Sequence, residues 1–73
     1  MRRNETDGIS ITVNGERREC AATTIAALLE ELGIGDKAVV AEHNGVIVRP
    51  DDFARTLLSA GDRIELIRFV GGG

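Results

Sequence analysis

The chain contains no tryptophan or tyrosine, and only one cysteine, one histidine, one proline and two phenylalanines among its 73 residues. A single cysteine, Cys20, excludes an internal disulfide, so the fold must be held by its core, as expected in a reducing compartment. A single histidine, His43, with no second His or Cys to join it, leaves no metal-ligand set, and no metal site is expected. No apolar run approaches the roughly 20 residues that cross a bilayer. Arg2 and Arg3 are followed by Asn4, Glu5 and Asp7 rather than by an apolar segment, so no secretory leader is expected and the chain should stay in the cytoplasm. A basic excess is also missing. Nine Lys and Arg face twelve Asp and Glu, for a net charge of -3, which speaks against nucleic acid as a partner. A chain this short buries only about 60% of its unfolded surface, which leaves room for one domain and makes a large internal catalytic cavity unexpected.

What the chain does have is a terminal run of glycine, Gly71, Gly72 and Gly73. Glycine carries no side-chain chemistry, so any chemistry at such an end belongs to the α-carboxylate. A polar tail needing only disorder would serve as well with Ser, Lys or Glu. Glycine alone offers a backbone thin enough to pass through a narrow channel and present an unhindered acyl carbon at its tip. The tail is therefore expected to be a substrate of another protein's active site.

The body upstream shows two periodicities. Ile9, Ile11 and Val13 alternate with Ser10, Thr12 and Asn14, the period of two that marks a half-buried strand over about residues 8 to 14. Asn14-Gly15 can supply the two positive φ angles of a type I′ turn, which predicts a second strand near Arg17 to Ala21. Ile25, Leu28, Leu29 and Leu32 then fall at i, i+3, i+4 and i+7 on one helical face, with Thr23 or Thr24 as N-cap and Gly33 at the C-terminal stop. Lys37 to His43 holds the apolar run Ala38-Val39-Val40-Ala41, followed by a second Asn-Gly turn at Asn44-Gly45 and a strand over Val46 to Val48 that Pro50 closes. Asp51, Asp52, Phe53, Ala54, Leu57 and Leu58 suggest a short helical turn with acidic residues at its positive end. After Gly61-Asp62 the last strand is expected over Arg63 to Val70, with Ile64 and Leu66 facing one way and Ile67 and Phe69 the other.

The resulting order, ββαββ, a short helix and a final β, predicts an α+β fold of the β-grasp type, a mixed sheet wrapped around one main helix with the first and last strands side by side. The expected core is Ile9, Ile11, Val13, Ile25, Leu28, Leu29, Leu32, Val40, Leu58, Ile64 and Leu66. The chain divides into an N-terminal extension at 1–7, a β-grasp domain at 8–70 and a flexible tail at 71–73.

That order, together with Val13-Asn14-Gly15, Thr24-Ile25 through Leu28-Leu29, Val40-Ala41 through Asn44, Val48-Arg49-Pro50, Gly61-Asp62-Arg63-Ile64 and the terminal Gly72-Gly73, resembles the ThiS family of ubiquitin-like sulfur carriers in thiamine-thiazole biosynthesis. The resemblance covers roughly residues 8 to 73. In many members the proline precedes the arginine, whereas here the pair reads Arg49-Pro50, so no role is carried over to either residue. The resemblance implies that an E1-like adenylyltransferase of ThiF type uses ATP to activate the Gly73 carboxylate. Sulfur from a cysteine desulfurase or another donor then makes the thiocarboxylate, and a thiazole synthase of ThiG type receives it. Gly71 and Gly72 would form the thread, and the chain would be a co-substrate of its partners rather than an enzyme, with no bound cofactor of its own. The same tail chemistry would suit a carrier for molybdopterin synthesis or tRNA thiolation, or a ubiquitin-like modifier that joins Gly73 to a target lysine.

If Ile64 and Leu66 face the helix, Ile67 and Phe69 are left outward just before the tail, which makes them the expected partner-docking residues. The remaining chemistry-bearing side chains read more simply. Cys20 at a strand end suits a small apolar filler better than a persulfide carrier. His43 beside a turn is expected to be an exposed polar residue, and the adjacent Asp51 and Asp52 suit the end of a helix. Glu30 and Glu31 fit a solvated helix face.

Overall fold

Both Asn-Gly pairs adopt the conformation that their composition predicts, and they set the register of the two hairpins. The computed structural model describes residues 8–35 and 39–68. Asn14 and Gly15 have φ of 51° and 85°, and Asn44 and Gly45 have 53° and 88°, the paired positive angles of a type I′ turn whose twist matches that of the flanking strands. The first turn joins β1 (Ile9–Val13) to β2 (Glu16–Cys20), with Val13 opposite Glu16. The two-residue loop places the second strand one residue earlier than expected, because pairing resumes directly after Gly15. The second turn joins β3 (Val39–His43) to β4 (Val46–Val48), with His43 opposite Val46.

Between the hairpins, α1 (Ile25–Leu32) begins at Thr24, whose Oγ1 accepts the Ala27 N–H at 3.1 Å, and it stops at Gly33 in the left-handed conformation. Both ends fall where the capping residues predict. A 3₁₀ helix (Pro50–Arg55) follows β4, and the chain ends its described course in β5 (Arg63–Arg68). The strand order is β2-β1-β5-β3-β4 in one five-stranded mixed sheet. β5 lies at the centre, parallel to β1 and antiparallel to β3. The first and last strands are neighbours, as the β-grasp order requires.

The core joins α1 to the inward face of the sheet. Ile25, Leu28 and Leu29 pack with Ile11, Val13, Ile64 and Leu66. Ile9 and Leu32 are partly buried against this cluster, and Leu58 closes one side. The buried cluster also holds Cys20, in keeping with a small apolar filler, and four residues outside the expected core: Ala22, Val39, Ala41 and Phe53. Phe53 is 2% exposed and enters the core from the 3₁₀ helix, so that short element adds an aromatic ring to the core cluster.

Val40 corrects the sequence reading. Val39 and Ala41 are buried, and Val40 turns to the opposite face, directly across from Ile67. A continuous apolar run carries no alternation from which parity can be read, and the His43–Val46 pairing sets it instead. Leu57, grouped with the helical turn, lies past its end; it is exposed and bridges to Thr24, while Leu58 points in. The expected last strand is seen through Arg68, and Phe69 and Val70 lie outside the described residues.

Candidate functional site

The expected site begins where β5 ends. Ile67 stands on the sheet face away from α1 and is 52% exposed, as the alternation predicts. Phe69, Gly71, Gly72 and Gly73 lie outside the described residues. The neighbours of Ile67 were not foreseen in full. Val40 is its cross-strand partner, and on β4 the 62% exposed Ile47 pairs with Glu42, which in turn faces Glu65. The outward face near the end of β5 therefore presents Val40, Ile47 and Ile67 beside two carboxylates. A three-residue strand is too short to reveal its parity by pattern, so Ile47 could not be placed from sequence.

The backbone of β5 is held from both flanks by the asparagines of the turns. On the β1 side, Thr12 N–H donates to Asp62 O at 3.0 Å and Asn14 N–H to Ile64 O at 2.9 Å. The next rung is made by a side chain. Asn14 Oδ1 accepts the Leu66 N–H at 2.7 Å, and Asn14 Nδ2 donates to Leu66 O at 3.2 Å. On the β3 side, Asn44 N–H donates to Arg63 O at 2.8 Å while its Oδ1 accepts the Arg63 N–H at 2.8 Å. Asn44 Nδ2 reaches Asp62 Oδ1 at 3.1 Å.

Asp62 is the hub of a polar cluster at the start of β5. Its Oδ2 accepts from His43 Nε2 at 2.7 Å and from the Ser59 N–H at 2.9 Å. Burial pushes the Asp62 carboxyl up, but the hydrogen bonds from His43, Ser59 and Asn44, with the charge of His43, outweigh it and hold the group below the usual aspartate value. His43 is thus a half-buried tie between β3 and the turn before β5, not the exposed polar residue expected beside a turn. Gly61-Asp62 showed only a turn in the sequence, and a lone His says nothing of a partner 19 residues on.

Cys20 is buried, with Sγ 3.8 Å from Ala22 O, and burial pushes its thiol up from the ordinary value. It has neither the exposure nor the electropositive surroundings of a reactive cysteine, which agrees with a structural filler. Asp52 pairs with Arg55 at 2.7 Å on the surface, and its backbone oxygen accepts from Thr56, a helix-end role. Among the described residues no group of three His, Cys, Asp or Glu could hold a metal, and no helix is long and apolar enough to cross a membrane. An open concavity beside α1, lined by Ala26, Leu29, Glu30, Ile34 and Gly35, holds no nucleophile or acid-base pair.

The family model of ThiS matches residues 11–73. The chain belongs to the ThiS family. A crystal structure of the thiamine biosynthesis protein ThiS from Geobacter metallireducens is similar with a TM-score of 0.75 and 29% identity, covering 89% of this chain and 100% of that one. The solution structure from the same organism gives 0.73 at 29% identity, covering 89% of this chain and 88% of that one. The β-grasp architecture of this ThiS chain is therefore that of the solved ThiS proteins. A thiazole synthase from Paramagnetospirillum magneticum is 38% identical over 66 residues, covering 89% of this chain and 20% of that protein. The chain thus spans about a fifth of the length of that synthase. An uncharacterised protein, ycf40, of Pyropia yezoensis is 35% identical over 89% of this chain and 93% of its own length.

Proposed function

We propose that this ThiS chain carries sulfur as a thiocarboxylate on Gly73 and delivers it for construction of the thiazole ring of thiamine. A carboxylate is a poor acyl donor until one oxygen becomes a leaving group. An adenylating enzyme of ThiF type supplies that change: a Gly73 carboxylate oxygen attacks the α-phosphorus of ATP, pyrophosphate leaves, and an acyl-adenylate forms. The terminal sulfur of a cysteine desulfurase persulfide then attacks the acyl carbon, AMP leaves with that oxygen, and a thiol reductant cleaves the resulting acyl disulfide to free the thiocarboxylate. A thioacid is far more acidic than a thiol, so the product is an ionised sulfur nucleophile at neutral pH. ATP belongs to the partner's site, and the carrier contributes the acyl group, the glycine thread of Gly71 and Gly72, and a docking face that includes Ile67 and Phe69. The cytoplasm supplies both ATP and reducing conditions for this sequence of steps.

The observation that carries this reading is the match of the family through the three terminal glycines. The likeness to a fifth of a thiazole synthase favours thiazole formation as the destination over molybdopterin synthesis or tRNA thiolation. Intact-mass spectrometry after incubation with ATP, a ThiF-type enzyme, a cysteine desulfurase with cysteine and an excess of thiol reductant tests it. The expected product is heavier by the exchange of one oxygen for sulfur, and a chain lacking Gly73 gives none. An unchanged mass with a partner that releases pyrophosphate on a known carrier would overturn the reading.

A further inference from the structure

Asn14 occupies a position where the parallel ladder of β1 and β5 should stop. In a ladder that continued, the Leu66 N–H would donate to the Asn14 carbonyl, and Leu66 O would accept from the N–H of residue 16. Neither bond can form, because φ of 51° at Asn14 turns the backbone away toward β2. The Asn14 side-chain amide makes both instead, at 2.7 and 3.2 Å, across 52 residues of sequence. An amide side chain has one acceptor and one donor spaced like a peptide group, which is what the substitution of two rungs requires.

The consequence falls on the segment that leaves the domain. β3 holds one edge of β5 as far as Arg68, opposite Val39. A strand held on one edge alone can still twist about that edge, whereas one held on both is fixed in direction. The Asn14 clamp makes Leu66 the last residue of β5 held on both edges among the described residues. Gly73 is the seventh residue beyond Leu66, a reach of at most roughly 25 Å. The direction of β5 at Leu66 sets the angle at which the chain leaves the domain.

We propose that Asn14 is a positioning residue for the carrier reaction: its side chain fixes the exit direction of β5 and so aims the C-terminal tail into the partner's active site. This rests on the functional reading above, in which Gly73 is the reacting end. Asn14 touches neither substrate nor partner group in this role; it acts through Leu66. The molecule also contains its own control. Asn44 has the same turn conformation and holds the Arg63 N–H with the same kind of bond, but at the opposite end of β5, away from the tail.

The test compares Asn14→Gly with Asn44→Gly. Glycine keeps the positive φ of both turns and removes only the side-chain grip. ThiF-type enzyme with ATP is the probe, and pyrophosphate release is read at varied carrier concentration, with far-UV circular dichroism to establish that each variant is folded at the assay temperature. Asn14→Gly is expected to lower kcat about ten-fold with KM within about two-fold of the parent, since the docking face is intact and the reacting end is misplaced. Asn14→Asp keeps the acceptor for the Leu66 N–H and loses the donor, so it should recover part of kcat. Asn44→Gly should leave both constants at the parent value. A folded Asn14→Gly with unchanged kcat, or an Asn44→Gly that loses as much kcat, would overturn the proposal while leaving the carrier function intact. A parent chain that yields no pyrophosphate with a competent enzyme would overturn the functional reading and the positioning role together.

Discussion

At one end of β5 the Asn14 amide is alone with Leu66, and at the other Asn44 grips Arg63 and also joins His43 and Ser59 in bonding Asp62. The two turns are the same dipeptide in the same conformation, so their difference comes wholly from what lies across the sheet. Because β1 runs parallel to β5 and β3 runs antiparallel, the first turn meets the end of β5 and the second meets its start. The start is a polar cluster containing ionisable groups, whereas the end, from which the tail departs, is held by a neutral amide. A carrier whose tail must present the same geometry across conditions is better served by a clamp that does not titrate.

Replacing the asparagines by alanine should break the comparison most severely. Asn14→Ala loses two hydrogen bonds and forces a Cβ-bearing residue into left-handed space without the local bonding that favours Asn there, at a cost of about 3 kcal/mol. Asn44→Ala incurs the same strain but loses bonds at a more exposed position, for about 2 kcal/mol. Urea unfolding followed by far-UV circular dichroism measures both, since the chain has no Trp or Tyr. Equal losses would show that the depth of the Leu66 site has no energetic weight.

Acid separates the two ends next. The folded Asp62 carboxyl lies below its unfolded value of about 3.9, so its contribution is fully present above that pH and is lost as pH falls through the folded value. Asp62→Asn should therefore destabilise the chain by about 1 to 2 kcal/mol at pH 7 and by progressively less as pH falls below the unfolded value, flattening the acid limb of the stability curve. Asn14 substitutions should leave the shape of that limb unchanged. An Asp62→Asn variant with the parent's acid limb would show that other carboxylates carry it.

The smallest effect sharpens the comparison. Glycine at either turn restores the positive φ without strain, so Asn14→Gly and Asn44→Gly should each recover about 1 kcal/mol relative to alanine. Failure to recover would mean that the turn conformation is imposed by the sheet rather than chosen by the residue.

Much of this architecture could be read from the chain because its local signals agree with one another. Thr24, the Ile25-Leu28-Leu29-Leu32 face and Gly33 define α1 at both ends, and two Asn-Gly pairs define two hairpins. The parity of β3 could not be read, since Ala38-Val39-Val40-Ala41 is apolar on both faces and Val40 turned outward. Phe53 was passed over because a 3₁₀ helix of six residues has no amphipathic period long enough to assign an inward side. The outward position of Ile67 followed from simple alternation in β5. The grips of Asn14 and Asn44 and the His43–Asp62 tie were hidden for one reason: each joins residues that only the sheet order brings together, and side-chain hydrogen bonds leave no periodic trace in sequence.

Amide hydrogen exchange at Leu66 and Arg63, measured by NMR in the parent, Asn14→Gly and Asn44→Gly chains, tests most directly whether the two turns hold separate ends of one strand. The expected result is a selective rise in Leu66 exchange when Asn14 is changed and in Arg63 exchange when Asn44 is changed. Acceleration of both amides to the same extent in either variant would contradict it, since β5 would then open as a single unit and neither turn would govern the tail's exit.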